Sequence, residues 1–424
     1  MTPFRRGPLA WATVTALAAR LARARDELWA RFGFADFRAG QRRAVRAALA
    51  GRSALVVLPT GGGKSLCYQV PALVLDKLTV VVSPLISLMQ DQVGAARARG
   101  IPAEALTSHQ SPAERAQVLE DVAAGGLRLL YVAPERLASG HLIGALRRAG
   151  VALLAVDEAH CVSEWGHDFR PAYRQLGPVR RALGMPPTLA LTATATPAVR
   201  ADIVASLRLG AVERIVGSFD RPNLRLAASR IPGDDERRLR LLDLLRPFHG
   251  PALVYVPTRR SAERWTRSLW QAGVNAAPYH AGLEHSVRRG VQEDFLADRL
   301  ECVVATCAFG MGIDKPDVRT VVHLGLSTSL EAYYQEAGRA GRDGKPARCQ
   351  VLWTLGDLKL QRAIVRDHAK LDPLVRYLTA FACRREMLLW HFGEHSARCG
   401  RCDRCERWDR LWGRTKRRDA GRAA

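Results

Sequence analysis

The sequence has no apolar run approaching the ~20 residues that a membrane-crossing helix requires, so none is expected in its 424 residues. Lysine is scarce, with seven against 57 arginines, and bases outnumber acids 64 to 41, for a formal charge of +23. This balance excludes an acidic, solvating chain and favours a polyanionic partner, although a GC-rich genome would by itself raise arginine at lysine's expense. No acid precedes Asp26, yet the opening stretch does not read as a targeting peptide. Arg20, Arg23 and Arg25 interrupt any apolar segment, and Leu17, Leu21 and Leu28 fall at helical spacing, which predicts a surface helix. Short-period repeats and low-complexity blocks are missing too, except for the basic tail Arg414–Ala424, whose composition predicts disorder.

What is present supports a large folded core. Hydrophobic residues make up 48% of the chain, and the length suggests about three domains. Short apolar runs predict buried strands at Ser53–Leu58, Thr79–Ser83, Arg128–Ala133, Val151–Val156 and Thr188–Thr192, with helix-like segments such as Leu85–Ala98 and Pro112–Ala124 between them. The pattern returns at Ala252–Val256, Glu301–Thr306, Thr320–Leu324 and Arg348–Leu352. Strand and helix in alternation imply parallel sheets. Gly217–Asp235, with Pro222, Pro232 and Gly233, reads as the linker between two such units. The expected organisation is a basic helical extension over 1–25, α/β domains over 26–217 and 218–354, a helical segment over 355–408 and a basic tail over 409–424.

Two segments carry the chemistry of a nucleotide triphosphate. The first strand is followed by Pro59-Thr60-Gly61-Gly62-Gly63-Lys64-Ser65. Glycines let backbone N–H groups curl towards phosphates, the following helix adds its positive end, Lys64 can reach the β- and γ-phosphates, and Ser65 can ligate Mg²⁺. The full phosphate-loop pattern has Gly where Leu58 stands. Downstream, Asp157 and Glu158 end the Val151–Val156 run. In an open α/β sheet, ligands bind beyond the carboxyl ends of the strands. There Asp157 would hold Mg²⁺ and Glu158 would orient and deprotonate the attacking water. Trp165, His167, Phe169 and Arg170 follow at once, a cluster of rings and one guanidinium suited to stacking on unpaired bases.

The nine cysteines fall into two groups. Cys67, Cys161, Cys302, Cys307 and Cys349 sit among apolar runs and read as small buried hydrophobes in a reducing compartment. Cys399, Cys402 and Cys405 form a knuckle with two-residue gaps, and Cys383 can supply a fourth thiolate. That set suits a closed, structural, tetrahedral Zn²⁺ site; an iron–sulfur cluster or a redox pair are the alternatives. Near the end of the second α/β unit lies Gln335-Glu336-Ala337-Gly338-Arg339-Ala340-Gly341-Arg342-Asp343-Gly344. Arg339 and Arg342, three apart, are read as sharing one helix face, from which either guanidinium can stabilise charge on a γ-phosphate.

These segments, with Leu191–Ala195 (LTATA), resemble the RecQ family of superfamily 2 DNA helicases, and the four-cysteine segment is similar to that family's zinc-binding subdomain. The likeness runs from about Phe32 to about Cys405. It implies an α/β fold of two tandem RecA-like parallel-sheet domains followed by a small helical zinc-binding subdomain. It implies ATP, Mg²⁺ and Zn²⁺ as cofactors and 3′→5′ movement on single-stranded DNA. Unwinding of tailed or forked duplexes would follow, in recombination and repair, by a monomer in the bacterial cytoplasm at the nucleoid. The resemblance assigns Gln41 to the adenine edge, Phe34 and Arg38 to the adenine faces, and Thr60 to Ser65 to the phosphates. It assigns Gln335, Arg339 and Arg342 to hydrolysis, and Thr192 and Thr194 to coupling. Ser83–Val93, Ala133–Leu137, Tyr279–Arg288 and Val303–Asp317 look like strand-contacting motifs. Pro257 and Asp314 depart from the commoner family residues. Members commonly continue into a winged helix, so the expectation is a short form that works without one. A weakly unwinding translocase, an ATP-gated annealing module and an RNA motor are the rival readings.

Overall fold

The computed structural model describes residues 8–108, 110–166, 168–246, 250–309, 315–365 and 367–420. His167, Asp314 and the last four residues of the basic tail therefore lie outside the described residues. The chain divides into two compact units, Met1–Ser218 and Phe219–Ala424.

In the first unit, β1 (Ala54–Val57), β2 (Leu78–Val82), β3 (Ala103–Leu106), β4 (Leu129–Val132), β5 (Val151–Val156), β6 (Thr188–Thr192) and β7 (Glu213–Val216) form one sheet. Every pairing is parallel, and the order is β3-β4-β2-β5-β6-β1-β7. Strands β1, β2, β4 and β6 are buried along their whole length, because helices cover both faces of a parallel sheet. That burial explains why they read as unbroken apolar runs rather than alternating ones. The edges β3 and β7 were not expected from sequence. Their segments, AEAL and ERIV, carry charges that solvent or a partner can accept at an edge. Glu104 pairs with Arg97, and Glu213 pairs with Arg43 at 3.1 Å.

The predicted N-terminal helix exists but is not merely a surface element. It runs from Pro8 to Phe32, across the expected domain boundary at residue 25. Ala24 and Leu28 pack with Phe37, Val45, Leu49, Val70 and Val74, while Leu17 and Leu21 cover the margin of that cluster. Arg20 donates to the Leu49 carbonyl at 3.2 Å and Arg23 to the Leu73 carbonyl at 3.0 Å, so two of its arginines anchor the helix.

In the second unit, β8 (Leu224–Arg230), β9 (Ala252–Tyr255), β10 (Ala276–Tyr279), β11 (Cys302–Ala305), β12 (Thr320–Leu324) and β13 (Ala347–Trp353) pair in parallel in the order β10-β11-β9-β12-β13-β8. Strand β8 corrects the linker reading of Gly217–Asp235. Its prolines bracket a seven-residue strand that pairs with all of β13. Pro278 sits in β10 at the opposite edge, where a missing backbone donor is tolerated.

The C-terminal region is helical over Leu355–Ile364, Asp372–Thr379, Arg384–His391 and Asp403–Ala420. The last helix replaces the disorder expected of the basic tail up to Ala420. This region closes the free edge of β8. The Ala228 N–H donates to Asp403 Oδ2 at 3.3 Å, and Arg225 Nε donates to Glu406 Oε1 at 2.9 Å. Arg384 is the centre of the junction, with no solvent exposure. Its guanidinium grips both oxygens of Asp403 at 3.0 and 3.1 Å, reaches the Ala228 carbonyl at 3.5 Å and the Tyr377 carbonyl, and lies 5.3 Å from the Tyr377 ring.

A buried guanidinium stripped of its carboxylate destabilises by about 3–5 kcal/mol, whereas replacing both members by apolar residues is far milder. Asp403→Ala should therefore melt the C-terminal region early in urea titrations followed by hydrogen exchange. Arg384→Met combined with Asp403→Ala should recover most of that loss; a double variant as unstable as Asp403→Ala would refute the ion-pair account.

Candidate active site and metal centre

The turn after β1 is shaped by glycine. Gly63 has φ +69°, and a Cβ there would lie 2.3 Å from Gln41 Nε2. That closeness reflects a clamp: Gln41 Nε2 donates to the carbonyls of Gly62 and Gly63 at 3.0 and 3.2 Å, while its Oε1 accepts the Arg38 N–H at 2.9 Å. Arg38 Nη1 donates to the Gly61 carbonyl at 2.9 Å, and Phe34 stands exposed nearby in sequence. The segment expected to read an adenine thus grips the phosphate loop itself. Lys64 folds back to the Leu58 carbonyl at 3.3 Å, and Thr60 and Ser65 are half-buried at the mouth of the helix Leu66–Val74.

Strand β6 lies between β1 and β5, so the residues after all three strands share one end of the sheet. The Asp157 carboxyl is pushed up to about 7 by burial and by Glu158 beside it, against the pull of Lys64. The Glu158 N–H donates to Asp157 Oδ1 at 3.0 Å, and the Tyr173 hydroxyl donates to the Asp157 carbonyl at 3.0 Å. Tyr173 escaped the sequence reading because nothing in its spacing marks it. Glu158 itself takes φ +46°, a left-handed conformation worth about 1–3 kcal/mol of strain in a non-glycine residue. Its Oε2 lies 3.2 Å from His160 Nδ1, which is 2.8 Å from Thr192 Oγ1; Thr192 Oγ1 in turn donates to the Thr194 carbonyl at 3.2 Å. Close polar groups line up from the acid pair to the turn after β6, with a hydrogen-bonded segment from His160 through Thr192 to Thr194.

The aromatic loop leaves the same strand end. Trp165 is 73% exposed, and Phe169 lies under Arg174 with 5.8 Å from guanidinium carbon to ring. Arg170 is turned inward: Nη1 donates to the Pro84 carbonyl at 2.6 Å and Nη2 to Asp168 at 3.2 Å. Of the residues expected to meet a strand, Trp165 is presented outward, Arg170 braces the loop, and His167 lies outside the described residues.

In the second unit the helix Leu330–Ala337 ends before the arginines. Arg339 and Arg342 therefore sit on the turn that follows, not on a helix face; Gly341, at φ +53°, takes a conformation a helix cannot continue. Arg339 is buried with Nε and Nη1 unbonded, and it lies close enough to the Tyr255 hydroxyl to pull it down against burial. Gln335 is half-buried, and beside it Glu336 Oε2 accepts from Ser327 Oγ at 2.6 Å and lies 2.9 Å from His323 Nε2.

The four C-terminal cysteines converge as their spacing suggests. Their sulfurs all lie within 4.8 Å of one another, with Cys383–Cys402 at 3.9 Å and Cys399–Cys405 at 4.0 Å. Those separations are far beyond a disulfide and near the ~3.8 Å edge of a tetrahedron with ~2.3 Å zinc–sulfur bonds. Backbone N–H groups of Cys399 and Cys405 point at Cys383 and Cys402 at 3.3 and 3.4 Å, as thiolates require. Cys67, Cys161, Cys302 and Cys349 are buried, and burial pushes each thiol up, as expected of inert cysteines; Cys307 is exposed, contrary to expectation, because it follows β11 into a loop. Among the described residues, no helix is long and apolar enough to cross a membrane.

Three family models match the chain: DEAD/DEAH box helicase over 38–203, helicase conserved C-terminal domain over 236–344 and RecQ zinc-binding over 357–406. The ATP-dependent DNA helicase RecQ of Haemophilus influenzae is 44% identical over 86% of this chain and 60% of its own length. The probable ATP-dependent DNA helicase RecS of Bacillus subtilis is 43% identical over 79% of this chain and 68% of its own. The chain thus spans about three fifths of the first of these relatives. Among solved structures, the helicase Lhr of Mycobacterium smegmatis, bound to ssDNA and AMP-PNP, matches with a TM-score of 0.59 at 23% identity, over 78% of this chain and 47% of that one. That likeness carries the fold alone.

The cysteine geometry fits Zn²⁺ and predicts close to one zinc per chain by elemental analysis. Metal binding supplies much of the folding free energy of so small a knuckle, so Cys402→Ser should release the ion and unfold the module while the sheet of the first unit survives. Absence of zinc, or an iron–sulfur absorbance, would overturn the assignment.

Proposed function

We propose that this chain, which belongs to the RecQ family of DNA helicases, hydrolyses ATP to move along single-stranded DNA and part duplex strands. One observation carries the reading. The phosphate loop, the acid pair with its relay to Thr194, and the outward Trp165 all stem from the carboxyl ends of neighbouring strands in one sheet. Nucleotide chemistry and a base-stacking ring therefore share one rigid support.

The roles follow from chemistry. Backbone N–H groups of Gly61–Gly63 and the Lys64 ammonium receive the β- and γ-phosphates. The Ser65 hydroxyl and the Asp157 carboxylate are hard oxygen donors that fit Mg²⁺, and a dication there would hold Asp157 ionised against the burial that opposes it. When bound, the ion neutralises phosphate charge. Glu158 orients the attacking water and takes its proton. His160, Thr192 and Thr194 carry the displacement of Glu158 towards the strand-contacting segments. Gln335, Arg339 and Arg342 act on the γ-phosphate. Phe34 and Arg38 flank the adenine, and Gln41 reads its edge by exchanging one of its bonds to the phosphate loop. Trp165 and Phe169, with His167, meet unpaired bases, and Arg170 holds their loop in place.

DNA as the track is supported by the aromatic loop, the zinc module and the names of the relatives. The 3′→5′ polarity, tailed and forked substrates, a role in recombination and repair, action as a monomer and residence at the bacterial nucleoid are parts of the same proposal.

Lys64→Ala should lower turnover by about 10²–10³-fold, the scale of losing one charge-stabilising group. Glu158→Gln should bind ATP within a few-fold of the parent and fail to turn it over; near-normal turnover would remove its assigned role. Trp165→Ala should retain basal ATPase and lose its stimulation by DNA, with strand affinity weakened by the ~1–3 kcal/mol of one stacked base. Strand displacement on a 3′-tailed duplex, with none on a 5′-tailed one, checks the direction of travel.

A further inference from the structure

The segment Phe219–Asn223, read from sequence as part of a linker, is bonded to more of the second unit than a connection needs. Arg221 Nη1 donates to the Gly338 carbonyl at 3.1 Å, and its Nη2 donates to the carbonyls of Ala340 and Gly341 at 2.8 and 2.9 Å. Asn223 Nδ2 donates to the carbonyls of Gly341 and Lys345 at 2.8 and 2.9 Å. Two side chains thus bind three carbonyls of the turn Gly338–Gly344, which carries Arg339 and Arg342, and the Lys345 carbonyl just beyond it. The turn begins where a helix ends, so its carbonyls have no i+4 partner. Its own backbone supplies some bonds, with the Gly344 N–H on the Gly341 carbonyl at 3.0 Å and the Gly341 and Asp343 N–H groups on the Val318 and Pro316 carbonyls at 2.8 and 3.1 Å. The side chains of Arg221 and Asn223 add the rest named above.

The same short segment is held from its other side by the C-terminal region. The Phe219 N–H donates to Glu394 Oε2 at 2.7 Å, and the Phe219 ring stacks on Phe392 at 4.5 Å with 6° between planes. Asp220 pairs with the buried Arg385, and Arg401, inside the cysteine knuckle, donates to the Pro222 carbonyl at 2.8 Å. Tyr334, on the helix leading into the arginine turn, donates to the Phe219 carbonyl at 2.8 Å.

We infer that Arg221 and Asn223 are positioning residues for the arginine turn Gly338–Gly344, and that Phe219–Asn223 is the strap through which the zinc module sets the placement of Arg339 and Arg342. This inference rests on the reading of those arginines as groups that act on ATP. Arg221 and Asn223 act on the turn's main-chain carbonyls, beside the bonds that its own N–H groups and the Arg319–Asp343 ion pair make. Lysine cannot replace Arg221 fully, because one ammonium cannot reach carbonyls served from both ends of a planar fork.

The test uses the full chain with its zinc. Arg221→Ala and Asn223→Ala should lower DNA-stimulated kcat about tenfold or more, with KM for ATP within twofold and zinc content unchanged. Arg221→Lys should fall between Arg221→Ala and the parent. Glu394→Ala, on the far side of the strap, should lower kcat in the same direction. Hydrogen exchange of 338–344 should accelerate in all four, while the amides of β1 and β5 keep their parental rates. Arg339→Ala and Arg342→Ala serve as the reference. If neither lowers kcat, the assignment of these arginines fails. If they do and Arg221→Ala leaves kcat and the 338–344 exchange at parental values, the strap fails. Loss of zinc or of global protection in Arg221→Ala would mark it as a folding residue, and Arg221→Lys with parental zinc then decides: unchanged kcat and exchange in that variant overturn the inference.

Discussion

Strands buried on both faces are poor hosts for a full charge, and in the first unit β1, β2, β4, β5 and β6 carry no Asp, Glu, Lys or Arg along their length. Desolvating a charge inside such a sheet would cost several kcal/mol, so β1, β5 and β6 are apolar until their final turn. In the first unit, Lys64, Ser65, Asp157 and Glu158 all lie beyond the carboxyl ends of their strands. Because β6 separates β1 from β5, the three turns are held at fixed lateral spacing by backbone hydrogen bonds. Short side chains such as Ser65, Asp157 and Thr192 can then serve one site without long, floppy arms.

The same restriction decides what the sequence disclosed. Interior strands were legible as apolar runs, and β5, β6 and β12 matched residue for residue. The edges were not: β3 and β7 admit charge, β10 admits Pro278, and β8 hides between Pro222 and Pro232. Edge strands answer to a partner's surface rather than to an interior, so composition marks them poorly. The site followed a similar division. The glycine triplet with its lysine, the Asp-Glu pair and the cysteine knuckle stand out by residue type and spacing. The bracing groups, Tyr173, Arg170, Arg221 and Asn223, act through main-chain carbonyls, which have no sequence of their own to reveal them.

Glu158 joins these levels. Its backbone is left-handed, its N–H donates to Asp157 Oδ1, its carbonyl accepts the Cys161 N–H, and its carboxylate lies against His160. The residue thereby belongs both to the acid pair and to the chain that leads to β6. In the proposed mechanism, a shift of Glu158 would be felt at His160 and, through it, at Thr192.

The closure of β8 has a consequence for how the protein fares in a cell. Its outer edge is held by Asp403 and Arg384, which follow Cys402 and Cys383 in sequence. If the four cysteines hold the metal, its loss would loosen that cover and expose the outer edge of a seven-residue strand, the usual template for edge-to-edge association between molecules. Zinc supply would then govern solubility before it governed activity, and a deficient cell would lose the protein to aggregates while its phosphate loop was still intact.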